Sequence, residues 1–340
     1  MSKKETAEWL ASNVLVGFGR QAWHFNADLG SGAQHYDGAI PMERVLSLFD
    51  SADPVAVPAF AQMPDGSMVA ISGKQAIVRK DGTAVYGVPS DSYAIHRHRE
   101  LVNGMAHILT DDAGNHGALG ISSAGLLENG AVAWVSASLA DTATTAAGVD
   151  FVTYLLAYGS HNGRHATSWK LVNQLVVCDN TLEIAMGEAT TRFAVKHTSN
   201  SLNRIGGARE ALGLILAGQD DFAREVESLC SVEVTDADFW RIVDQLAPAP
   251  ADGVTGRGAT MAQNKRDAVV SLYRSDPRVA PWSGTAFGVL QAYNTYSHWQ
   301  APGTGTGVVQ ARNMTRNLTG QAAEADALAL SVIRGVLAGV

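Results

Sequence analysis

At 340 residues, 46% of them hydrophobic and 17% charged, the chain has the balance of a folded globular protein, which excludes a disordered or coiled-coil one. Its formal net charge of −8 excludes a protein that is basic throughout. The length admits one large domain or two of ordinary size.

Taken in chain order, the first apolar stretch, Ala11 to Phe18, is broken by Ser12, Asn13 and Gly17. It suits neither a signal segment nor a membrane span, so the expected setting is the cytoplasm, with no membrane partner. Ile40 to Phe49 places Met42, Val45, Leu46, Leu48 and Phe49 at helical spacing behind Pro41, which predicts a short amphipathic helix. Three β-like runs follow: Val55 to Met63, Met68 to Val78 and Thr83 to Val88. Pro64-Asp65-Gly66 and Lys80-Asp81-Gly82 stand between them as hairpin turns, so an antiparallel meander is expected. His98 to Leu109 reads as a helix. A second β set comprises Gly117 to Leu127, Ala131 to Leu139 and Phe151 to Tyr158, with Glu128-Asn129-Gly130 as a turn; Val172 to Val177 fits either a strand or a buried helix start.

Beyond about Asn200 the pattern turns helical, over Ile205 to Ala217, Asp221 to Leu229, Asp236 to Leu246, Thr260 to Tyr273 and Gln321 to Leu337, with Thr235 as an N-cap. The expected fold class is α+β: antiparallel β-meanders packed with helices, then a mostly helical C-terminal half. The expected division is a core domain over 1–200 and a mainly helical region over 201–340, with a Pro/Gly-rich loop at 247–258.

Few residues offer chemistry. Cys178 and Cys230 form no CxxC pair, which argues against structural zinc. Gly303-Thr304-Gly305-Thr306-Gly307 lacks the Gly-Lys-Ser/Thr ending of a phosphate loop and reads as a flexible loop. His96-Arg97-His98-Arg99 and His161-Asn162-Gly163-Arg164-His165 lack a supporting carboxylate-plus-histidine set, so solvated or helix-start histidines are preferred to a metal site. Asp111-Asp112 and Asp220-Asp221 read as caps. No catalytic residue, metal or cofactor is expected.

Charge is unevenly distributed. Residues 151–209 carry a net +3, and residues 211–250 a net −6. In the basic stretch aromatic and cationic residues interleave, a composition that suits a groove for single strands, where cations meet phosphates and rings meet bases. The candidate phosphate contacts are Arg164, His165, Lys170, Arg192 and Lys196, with Arg97 and Arg99 in addition; Tyr158 and Trp169 are the candidate stacking platforms. The bland alternative makes the rings core and the charges ordinary surface. A second set, Tyr293, Tyr296, His298, Trp299, Arg312 and Arg316, carries the same two readings.

The string His161-Asn162-Gly163, then Leu175-Val176-Val177-Cys178-Asp179-Asn180-Thr181-Leu182, then Phe193-Ala194-Val195-Lys196-His197-Thr198, resembles the signature of the phage/plasmid-like protein family, a domain of unknown function. Gln21-Ala22-Trp23-His24 and Tyr86 to Tyr93 resemble its N-terminal elements. The resemblance implies a mobile-element setting. The order of strands and helices is also similar to single-strand annealing proteins of the Redβ and Erf kind, an analogy of architecture. Together these give a leading expectation of single-stranded DNA binding and annealing, as a homo-oligomeric ring or filament. The rival expectation is an interaction module, a regulator or anti-defence factor binding a host protein through its acidic helical half at Asp220, Asp221, Glu225 and Glu227.

Overall fold

The computed structural model describes residues 8–9, 12–18, 34–109, 120–138, 143–175, 181–182, 192–198, 219–302, 316–317 and 321–337. It is an α+β protein with antiparallel sheets, and its helices are concentrated in the C-terminal half. Two units interleave in sequence: unit 1 takes 1–139, 154–171 and 189–217, and unit 2 takes 140–153, 172–188 and 218–340.

In unit 1, helix α1 (Met42–Ser51) starts directly after Pro41, whose φ of −58° already suits a helical turn, and buries Val45 and Phe49. Strands β2 (Pro54–Gln62), β3 (Met68–Arg79) and β4 (Val85–Gly87) form a three-stranded antiparallel sheet in that order. Both connecting turns use glycine at positive φ, Gly66 at 85° and Gly82 at 75°. The aspartate ahead of each glycine accepts a backbone N–H two residues on, Asp65 from Ser67 and Asp81 from Thr83.

A second antiparallel sheet begins with β1 (Val14–Val16), which pairs with β5 (Gly120–Leu127). It continues through β6 (Val132–Ser138) to β8 (Asp150–Ser160) and β9 (Thr167–Leu175), and β11 (Arg192–Val195) pairs with the 167–170 end of β9. The turn between β5 and β6 holds Glu128, Asn129 and Gly130 all at positive φ. Helix α2 (His98–Leu109) buries Leu101, Val102 and Met105 in a core shared with Leu15, Phe49, Leu126, Val135, Leu155 and Trp169. Gly104 makes this packing feasible: a Cβ there would stand 2.8 Å from the Trp169 ring.

In unit 2, the short strands β7 (Ala143–Thr144) and β10 (Thr181–Leu182) pair with the 150–151 end of β8 and the 173–174 end of β9. Five helices follow: α3 (Gln219–Ser231), α4 (Asp236–Leu246), α5 (Arg257–Ser275), α6 (Ala286–Thr295) and α7 (Gln321–Leu337). Thr235 and Asp238 form a reciprocal capping box that starts α4. All ten residues of α6 are buried, so it has no polar face to give an amphipathic signal, and the sequence reading has no helix there. A single π-helical turn, Tyr296–Gln300, continues it. The core joins Phe151, Phe222, Phe239, Tyr273, Trp282 and Phe287 to the inner faces of α3 to α7. Among the described residues no helix is long and apolar enough to cross a membrane. The expected helix at 205–217, Cys178 and the Gly303–Gly307 loop lie outside the described residues.

Candidate functional site

His96, His98 and His161, expected as solvated or helix-start histidines, are instead gathered inside unit 1 together with His197. His96, His98 and His161 are buried and His197 is half-buried. They come from three segments: the start of α2, the β8–β9 turn and the end of β11. The His96 and His197 rings stack at 4.1 Å, His161 lies 5.1 Å from His197 and 5.5 Å from His98, and Tyr93 stacks on His197 at 4.7 Å.

Their hydrogen bonds fix the protons. His161 donates from Nε2 to the His96 carbonyl at 2.9 Å, so its Nδ1 accepts from the Tyr93 hydroxyl at 3.0 Å. His197 donates from Nδ1 to the Ala94 carbonyl, and His98 donates from Nε2 to the Gly130 carbonyl. The Thr167 hydroxyl bridges His96 Nδ1 at 2.7 Å and His197 Nε2 at 3.4 Å. Ring nitrogens committed to carbonyls and hydroxyls do not converge on one point, and no metal-holding group of three or more His, Cys, Asp or Glu occurs among the described residues.

Burial favours the neutral rings. It pushes His96 down to about 4, helped by repulsion from His197, and it pushes His98 down to about 4 against the pull of the Gly130 and Ala52 carbonyls. Burial likewise holds His161 well below the ordinary histidine range and lowers His197. Asp53, buried below the cluster, accepts the first backbone N–H of α2 at His98, and burial raises its pKa.

Each clustered histidine has an exposed cation within three residues of it in sequence. His96 and His98 alternate with Arg97 and Arg99, Arg164 follows His161, and Lys196 precedes His197. The cluster therefore ties three cation-bearing segments to one another. Arg97 is 53% exposed and 3.9 Å from Asp53; Arg164 is 68% exposed and 3.4 Å from Glu128. The Arg164–Glu128 pair is exposed and worth little, and Arg97 meets the buried Asp53 carboxylate only at 3.9 Å, so phosphate can compete for these guanidinium groups.

The other candidate contacts fall elsewhere. Tyr158 and Trp169, expected as stacking platforms, are both fully buried; a ring with no open face cannot take a base, and these two are core residues. Lys170 is also buried, on β9 opposite Arg192 in the β9–β11 ladder, so its ammonium does not face solvent phosphate. His165 is half-buried beside Tyr158. In unit 2 the acidic excess of 211–250 is largely engaged: Asp236 with Arg274, Asp238 with Arg241 and the α4 cap, Asp244 with Arg266, Glu225 with Arg334, and Glu227 with the Ala146 backbone.

Unit 2 holds a second polar centre. His298, on the π-helical turn, directs Nε2 at both carboxylate oxygens of Asp326, each at 3.0 Å, and Asn294 donates to the same carboxylate at 3.0 Å. His298 and Asp326 are both buried, and His298 Nδ1 has no hydrogen-bond partner. A carboxylate-steered imidazole with a spare lone pair has the form of a general base, but among the described residues no hydroxyl or thiol bonds to it.

Residues 85–328 match the model of the family described as Domain of unknown function (DUF932). That span is more than half of the chain, and the chain belongs to this family. No curated protein and no solved structure matches it.

Proposed function

We propose that this member of the DUF932 family is a non-enzymatic DNA-transaction protein that binds single-stranded DNA at the histidine-tied segments of unit 1 and promotes annealing as a homo-oligomer. One observation carries the reading: the clustered histidines bring together three separate segments, each of which also carries an exposed cation. Arg97, Arg99, Arg164 and Lys196 are the backbone contacts. Since Tyr158 and Trp169 are core, binding rests on phosphate neutralisation and is tolerant of sequence. A handful of cations per subunit is a modest site, and a ring or filament of subunits repeats it along the strand. The resemblance to phage- and plasmid-borne proteins and the architectural analogy to annealing proteins of the Redβ and Erf kind accord with this reading, and the setting proposed with it is the host cytoplasm.

The test is retention of a labelled single-stranded oligonucleotide across a salt series. The expected result is a linear fall of log K with log salt, whose slope flattens by about 0.7 for each phosphate contact removed in variants of Arg97, Arg99, Arg164 and Lys196 to Gln. Absence of retention at ~50 mM salt overturns the proposal. An unchanged slope in the fourfold variant moves the interface off these segments.

A further inference from the structure

The β2–β3 hairpin is a ribbon with little of its own to pack on. Along it Pro54, Ala59 and Ile77 are buried, while Val55, Val57, Phe60, Met63, Met68, Val69 and Ile71 are exposed. With Val85 and Val88 this one sheet carries nine of the fourteen large hydrophobics exposed among the described residues. Two-stranded ribbons are marginal in water on their own, and an apolar patch of this size exceeds what scattered surface residues explain.

The chemistry of the arm selects its partner. Residues 54–73 contain a single charge, Asp65 at the tip, and no cation, so the arm does not suit nucleic acid. The outer edge of β3 is also unoccupied beyond its base. Pairing with β4 and the contacts to Pro89, Ser90 and Asp91 stop at Gly73, so among the described residues nothing pairs with the outer edge of Met68 to Ser72. The outer edge of β2 carries Pro58, which has no N–H to give a neighbour, so β3 is the edge open to a further strand.

We propose that the arm is a self-association surface, in which the β3 edges of two copies pair antiparallel across a two-fold axis near Ala70. This deepens the homo-oligomer reading above and rests on it. Pairing centred there sets Met68 opposite Ser72 of the other copy, and brings exposed Lys74, just beyond the paired edge, towards the tip of the other copy at Asp65. The negative tip of each arm then meets the positive base of the other twice over, while the two Asp65 carboxylates stay at opposite ends. In the same step apolar side chains beside the seam, such as Ile71 and Val69 of the other copy, shield one another.

The experiment is sedimentation velocity on the full chain, with oligonucleotide retention measured in parallel. Wild type is expected to sediment as a dimer or larger even-numbered species. The Met68→Ser/Ile71→Ser variant is expected to weaken association by at least about tenfold. Asp65→Lys alone weakens it in the same way, and adding Lys74→Asp restores it, a rescue that a general loss of apolar surface does not produce. Unchanged far-ultraviolet circular dichroism confirms that the variants fold. A monomeric wild type overturns the proposal, and so does an oligomer that survives Met68→Ser/Ile71→Ser; capture of vesicles or another protein by a monomeric wild type counts in the same direction. Retention of oligonucleotide by the monomeric variants separates a failed arm from a failed DNA reading.

Discussion

Acidification is expected to unfold unit 1 well before its carboxylates protonate. The four clustered histidines are neutral in the folded state, and burial sets His96 and His98 to about 4 against roughly 6.5 in an unfolded chain. A base whose folded pKa is lowered contributes full stability above the unfolded value and loses it as the pH falls towards the folded one. The unfolded chain binds the proton first throughout that window. At about pH 5 each of these two rings has lost roughly 2 kcal/mol, at 1.36 kcal/mol per pH unit, and the pair about 4 kcal/mol. His161 and His197 are lowered by the same burial and add in the same direction. The total is a large part of the 5–15 kcal/mol that holds a typical domain folded, so the loss should be visible without mutagenesis. Asp53 and Glu100, raised by burial, act in the opposite sense, since the folded state takes up their protons first as the pH falls. The assay is urea unfolding at about pH 7.5, 6 and 5, read by tryptophan fluorescence, with imidazole C–H resonances followed by NMR. His98→Gln keeps a donor for the Gly130 carbonyl and should remove about 2 kcal/mol of the acid sensitivity. Equal stability at pH 7.5 and 5, or imidazole signals titrating near 6.5, refutes the reasoning.

Two packing predictions concern unit 2. A Cβ at position 288 would fall inside the van der Waals envelope of the Trp282 carbonyl, a backbone group that cannot step aside, so Gly288→Ala should destabilise by about 1–3 kcal/mol despite its better helix propensity. A thermal melt at or above the wild-type midpoint contradicts it. Asp326→Ala leaves His298 and Asn294 without the carboxylate that both address, and should cost about 3–5 kcal/mol in urea unfolding. A loss below about 1 kcal/mol means that the buried polar centre has other partners.

Much of the fold was legible because it obeys local rules. The Asp-Gly turns, the Pro41 helix start, the Thr235 cap and the amphipathic spacing of α2 and α4 are each decided by neighbouring residues, and the strands and helices stand close to where those signals put them. Where a segment meets no water on any side, as in α6, periodicity has nothing to report. The candidate site divides in the same way. His96-Arg97-His98-Arg99 and His161 to His165 were visible as clusters, but composition cannot tell a solvated histidine from a buried one, nor a stacking tryptophan from a core one.

By itself the sequence determined the class of the protein, its local elements and the kinds of side chain it could bring to a site. Only the tertiary structure decided which way those side chains face. Trp169 on β9 is packed against α2 and its neighbour Lys170 is buried too, the histidines of three distant segments are turned inward and the neighbouring cations outward, and the β2–β3 ribbon is left exposed. The physical reason is that burial is a property of what lies opposite a residue in space, and in this chain the partners that bury or expose a group stand up to a hundred residues away, as His197 and Ala94 do.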